Sequence, residues 1–394
     1  MTPELFSSAW HVISAFLVFA FGLLAAPWFG KNFQTKGKRA LLLYLWHTLF
    51  CLVYIVYVRN NGGDAIGYYF RAAEGMSEFK FGTAAVDLFT YVLVSLAGFS
   101  FLGAFLFYNI LGFIGLLAFD ASLRVATLHN SVKVKKIAAL IVFLPSISFW
   151  TSAIGKDSVA FMAVGLALWA ATALHRHMLL MVFAIITMLL VRPHMAGILV
   201  LSLAAATAMS PAISLKFRLL IGSIAVAGSA ALVPIAISYV GLENSATAVG
   251  VSDYVAGRQG YNMEGGGGVD IAAMSVPEQL FTYVFRPILL EARNITSLAA
   301  SLDNTLLLVL AVLAARGYLR RRRQHLVGQR IFMWFYVVVS WVLLATTTAN
   351  LGIAVRQKWM FVPFLIFLLL PLIGKSHKLG GAPSASARNP GAAN

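Results

Sequence analysis

The chain has 394 residues, 60% of them hydrophobic and only 11% charged, with a formal net charge of +16. Its mean hydropathy is +0.83. A soluble domain carries about a quarter charged residues, so these numbers exclude one, and 32 glycines without a period of three exclude a collagen-like chain. The one cysteine, Cys51, lies in an apolar run, which excludes an intrachain disulfide and a Cys-based zinc site. The first ten residues carry Glu4 and no Lys or Arg, so they lack the positive start of a secretory signal peptide.

Apolar runs of the length needed to cross a bilayer, about 20 residues, recur along the chain. A β-barrel would instead show alternating segments of about 10 residues. In chain order the runs predict eleven spans: 8–28, 40–58, 97–119, 137–153, 158–175, 178–191, 195–212, 218–240, 302–315, 331–348 and 359–374. The segment 84–94, interrupted by Asp87, reads as an interfacial helix ahead of the third span. The expected fold is therefore all-α, a polytopic integral membrane protein with about eleven transmembrane helices. One membrane domain covers 1–377, with a large outer loop at about 241–300. A small, polar, disordered cytoplasmic tail covers 378–394.

The charges sort by side. With these spans, twenty Lys and Arg and a single acid, Asp120, fall on one face; ten basic and thirteen acidic residues fall on the other. The positive-inside rule makes the basic face cytoplasmic, with the N-terminus outside and the C-terminus inside. The basic excess is then a topology signal, and no nucleic-acid partner is expected.

The outer face collects the residues with chemistry. Within 59–71, the turn Asn60–Gly63 places Asp64 at the membrane surface, followed by Tyr68 and Arg71. Asp64 reads either as a general base for a hydroxyl group or as part of a solvated turn. Tyr68 reads as a stacking surface or an interfacial anchor. Lys156 and Asp157 end a short connection; they read as a phosphate contact or as a mutually neutralised pair. Arg192, Pro193 and His194 interrupt an apolar stretch, and Pro193 marks a break in the helix. Ionisable groups at that depth point to function. The outer loop carries Arg258 and Arg286, four glycines at 265–268, and an amphipathic stretch at 278–293. Arg356 and Lys358 lie at the outer edge of the last span, against the inside rule. Spread over several spans, these cations suit phosphate oxygens, which Arg contacts in bidentate fashion. No cluster has metal-ligand spacing, so no cofactor is expected, and a weak Mg²⁺ bridged by carboxylate and phosphate stays open.

DAIGYY after an early span, FWTSAIGKDS, RPH, VFRPILLEARN and NLGIAVRQK together resemble the Wzy-type polymerases of bacterial surface-polysaccharide clusters, in the broad sense that includes EpsG-like members. Related GT-C glycosyltransferases also place a key acid in an early outer loop. The resemblance implies the joining of oligosaccharide repeat units on undecaprenyl pyrophosphate at the periplasmic face of the inner membrane. It implies outer-loop arginines as essential groups, by position Arg192, Arg286 and Arg356, and an early carboxylate, Asp64. GT-C enzymes often pair two acids in that loop, whereas here the next acid, Glu74, is ten residues on. The expected partners are the lipid-linked oligosaccharide, membrane lipids and other polysaccharide-assembly proteins. The leading expectation is a polymerase, with Asp64 or His194 taking the acceptor proton and Tyr68, Arg71, Lys156, Arg192, Arg258, Arg286 and Arg356 holding pyrophosphate and sugar. A GT-C transferase using a polyprenyl-phosphate donor is the alternative, and a transporter or flippase the third reading. The sequence leaves sugar, linkage, donor lipid and oligomeric state open.

Overall fold

The computed structural model describes residues 2–209 except 76, 77 and 79; 214–216, 219, 220, 222, 223 and 257; 267–320 except 293; and 328–373. Arg258, the first part of the expected outer loop, most of the span expected at 218–240 and the tail from 378 lie outside the described residues. Among the described residues the protein is helical, and the only β-type pairing is an isolated antiparallel bridge between Gly268 and Asn350.

Among the described residues, five helices are long and apolar enough to cross a membrane. They are α1 (Ala9–Asn32), α2 (Gly37–Asn61), α5 (Phe101–Ala126), α12 (Ile295–Arg320) and α13 (Gly328–Thr347). A sixth crossing is available if the bent pair at the C-terminal end counts as one span. That pair is α14 (Leu351–Gln357), with a 3₁₀ turn to Met360, then α15 (Val362–Leu369), which turns on through Leu372, with a bend of 64°. These helices mark a membrane-embedded protein.

The other expected spans are shorter. The run 137–153 splits into α6 (Val132–Ile141) and α7 (Pro145–Thr151), because Pro145 disfavours helix at Leu144 and starts a new one. Helices α8 (Lys156–Thr172), α9 (Met178–Val191) and α10 (Pro193–Ala208) have 17, 14 and 16 residues. On the surface lie α3 (Asp64–Glu74) and α4 (Thr83–Tyr91), the second continuing into a π-helical turn to Leu96 where the interfacial helix is expected. The amphipathic stretch of the outer loop forms α11 (Val276–Phe285), started by a capping box of Ser275 and Glu278. Its inner face is held on α13 by the Trp341 indole, which donates to the Leu280 carbonyl at 2.9 Å.

Helix α5 is the centre of the bundle. Phe105, Tyr108, Phe113, Leu116 and Phe119 on it are fully buried, while α1 turns Phe16, Leu24 and Trp28 outward as a lipid-facing helix does. Small residues let α5 and α8 touch. A Cβ added at Gly115 would lie 2.8 Å from the Met162 Cα, and one at Gly165 would fall on the Gly115 carbonyl. Gly165→Val is therefore expected to force the two helices apart and to cost about 1–3 kcal/mol or more. A thermal unfolding midpoint equal to wild type in detergent would contradict this contact.

The two ends of the bundle differ in charge. At one end Asp120, the sole acid assigned to the basic face, is buried and binds Arg39 at 2.6 Å and Arg124 at 3.2 Å. Arg124 also donates to the Phe33 and Gln34 carbonyls and so ties the α1–α2 turn to α5. Arg39 opens α2, and Asp64 follows its last residue by three. A 25-residue helix is about 37 Å long, which is more than the thickness of a hydrocarbon layer of about 30 Å.

Candidate functional site

Four local breaks build a site at the Asp64 end. Gly62 and Gly63, at φ +75° and +149°, end α2 and turn the chain so that Asp64 begins α3. Gly155, at φ +149°, does the same for Lys156 and Asp157 at the start of α8. Pro193 starts α10 and leaves Arg192 at the junction of α9 and α10, outside the helical region at φ −144° and ψ 72°. Asn350 caps α14 by accepting from the amides of Gly352 and Ile353, which brings Arg356 into its last turn.

The side chains from these breaks line one cavity of about 310 Å³. Asp157 is its hub. It accepts from Arg192 Nη2 at 2.8 Å and from Arg356 Nε at 3.0 Å. Arg356 Nη2 contacts both Asp157 Oδ2, at 3.0 Å, and Asp64 Oδ2, at 3.1 Å. The two carboxylates thus share one guanidinium, which also lies 5.6 Å from the centre of the Trp150 ring. The Asp157 side chain is 13% exposed and the Asp64 side chain 67%. Arg192 is buried, and its Nε has no hydrogen-bond partner among the described residues. Lys156 also lines the space, with Asp64 as the more exposed of the two carboxylates. Guanidinium and ammonium groups gathered in one cavity favour an anion.

Of the residues singled out in the sequence, Asp64, Tyr68, Lys156, Arg192 and Arg356 meet in this cavity. Burial pushes the Tyr68 hydroxyl well above its ordinary value, so it stays protonated there. Arg71 turns aside: it pairs with Asp87 at 2.9 Å and lies over the Tyr68 ring at 5.0 Å. Asp87, which interrupts an apolar stretch, thereby has its partner. His194 is half-buried on α10 and does not line the cavity. Arg286 lines a neighbouring cavity and binds Glu291 at 2.7 Å, which holds the Glu291 carboxyl below its usual range.

The structure adds to two readings. Asp157, read with Lys156 as a phosphate contact or a mutually neutralised pair, also bridges two arginines on other elements. Lys358, read as an outer-edge cation, is fully buried. Two positions after Arg356 on a helical turn, its side chain points the other way, into the bundle, where it donates to Asn304 Oδ1. Beside Asn304, Asp303 accepts from the amide and hydroxyl of Ser146. Trp150 was not singled out either, and only its position beneath Arg356 reveals it. No family model, no curated protein and no solved structure matches this chain.

Proposed function

We propose that this protein is a membrane glycosyltransferase that polymerises lipid-linked oligosaccharide repeat units at the outer face of a bacterial inner membrane. The carrying observation is the cavity in which Asp64, Lys156, Asp157, Arg192 and Arg356 converge, at the end of α2 opposite the Arg39–Asp120–Arg124 cluster. Under the positive-inside rule that cluster faces the cytoplasm, with the N-terminus outside and the C-terminus inside. In this reading the short helices α8, α9 and α10 count among eleven crossings.

The acceptor hydroxyl attacks the anomeric carbon of the lipid-linked sugar. Asp64, the exposed carboxylate, takes the hydroxyl proton as the new glycosidic bond forms. The bond from the anomeric carbon to the phosphate oxygen breaks, and the pyrophosphate leaves with the electron pair. Arg192, Arg356 and Lys156 stabilise that charge. Asp157 keeps the two guanidiniums oriented, which removes reorganisation from the reaction itself. His194 stands outside the cavity, so the proton is assigned to Asp64.

A single-sugar GT-C transferase with a polyprenyl-phosphate donor is the second reading, favoured by the early-loop carboxylate in the cavity. Here Asp157 supplies the second acid that the early loop lacks. Deletion and complementation with Asp64→Ala and Arg192→Ala separates the readings. Loss of long surface polysaccharide with accumulation of complete single repeat units on pyrophosphate lipid is expected. Accumulation of units lacking one sugar would favour the transferase, and unchanged polysaccharide and lipid pools would refute both.

A further inference from the structure

A second cavity, of about 760 Å³, adjoins the first and shares Trp150 with it. Its lining differs in chemistry. Tyr57 and Trp150 supply aromatic faces, and Asn294 and Asn350 supply carboxamides. Among the described residues its two charged groups cancel: Arg286 donates from Nε to Glu291 Oε1 at 2.8 Å, while Glu291 Oε2 accepts from the Ile288 amide at 2.9 Å. Both oxygens of Glu291 are therefore held in place by the chain itself. The Asn294 carbonyl oxygen is likewise engaged, by Thr296 and the Ser297 amide, which leaves its amide hydrogens as the donors it offers.

Among the described residues a phosphate finds here a single guanidinium, paired with Glu291 at 2.7 Å, against the two guanidiniums and one ammonium that line the first cavity. A hydroxyl-rich neutral ligand gains from planar polar groups fixed around aromatic walls, and the volume lies within the usual range for ligand sites of about 300–1,000 Å³. We infer that this cavity is a saccharide subsite that binds neutral sugars of the acceptor chain, beyond the sugar whose hydroxyl reacts. The inference rests on the proposed transferase reading, and it assigns the anionic and neutral parts of the substrates to separate spaces on the two sides of Trp150. Such a subsite holds a chain by its body while its end reacts, so it sets how long a chain grows before release.

The test uses the full chain in lipid nanodiscs. A panel of phosphate-free neutral oligosaccharides of two to six sugars is titrated against wild type, Tyr57→Ala, Asn294→Ala and Asp64→Asn, with inorganic pyrophosphate as a second probe. At least one neutral oligosaccharide is expected to bind wild type. Tyr57→Ala and Asn294→Ala are each expected to weaken it about tenfold, equivalent to about 1.4 kcal/mol. Asp64→Asn is expected to bind it as wild type does, and pyrophosphate binding is expected to survive in Tyr57→Ala and Asn294→Ala, which also shows that these variants are folded. Failure of every neutral oligosaccharide to bind, or undiminished binding in both cavity variants, overturns the subsite. Complementation reports separately on the transferase: saccharide binding lost in Tyr57→Ala alongside normal polysaccharide in Asp64→Ala would keep the subsite and reject the polymerase.

Discussion

Replacing Arg356 by alanine is expected to lower glycosyl transfer about a hundred- to a thousandfold, the cost of removing one fixed donor from a developing anion. The reason is its position. Its guanidinium contacts both Asp64 and Asp157, and it stacks over Trp150 as it does so. Without it Asp64 loses its orienting partner, and in the proposed reaction the leaving phosphate loses a cation. Asp157 keeps its 2.8 Å contact with Arg192, so the fold is expected to survive and the thermal midpoint to move little. Arg356→Lys is not expected to rescue the activity, because one ammonium on a flexible stem cannot reproduce the planar fork that meets two carboxylates. In a purified assay with lipid-linked donor and acceptor, an Arg356→Ala rate above about a tenth of wild type would refute this role.

The second large effect is on stability. Lys358 and Asp303 are both fully buried, next to Asn304 and Ser146. This group pins α7, which carries Trp150, and α12 to the turn that follows α14, the helix that carries Arg356. Asn304 extends the link to the Arg286 turn by donating to the Pro287 carbonyl at 3.1 Å. Lys358→Met removes the ammonium that acts on the buried Asp303 from beside Asn304, and is expected to destabilise the protein by a few kcal/mol, about 3 at most, since the two charges are not in direct contact. The double variant Lys358→Met, Asp303→Leu removes both charges and is expected to recover most of that loss, since apolar replacement of a whole buried pair is often neutral. Unfolding of the three proteins in the same detergent decides the matter. A double variant as unstable as Lys358→Met alone would show that the two charges do not act together.

Much of the bundle is legible in the sequence because its cause is local. Hydropathy over a window of about 20 residues marks α1, α2, α5, α12 and α13, and the bilayer reads the same windows. Gly62–Gly63 and Pro193 announce breaks at the places where the chain turns, since backbone conformation there depends on the residue itself. The shorter helices were harder. A run such as 137–153 is uncharged throughout, yet Pro145 divides it into two helices that cannot each cross a membrane.

The sequence by itself determined that the chain has apolar helices of membrane-crossing length, and it led to the expectation that Asp64, Lys156, Arg192 and Arg356 lie toward one face. Only the tertiary structure decided how those groups pair. Arg356 meets Asp157 across 199 positions and Asp64 across 292, and no periodicity or spacing encodes contacts so distant in the chain. It also decided that Arg71 is taken by Asp87, and that Lys358 turns inward while Arg356, two residues before it, turns to the cavity. Charge at a membrane edge can be satisfied by water, lipid or protein with similar ease, so the choice among them is made by which helices pack together.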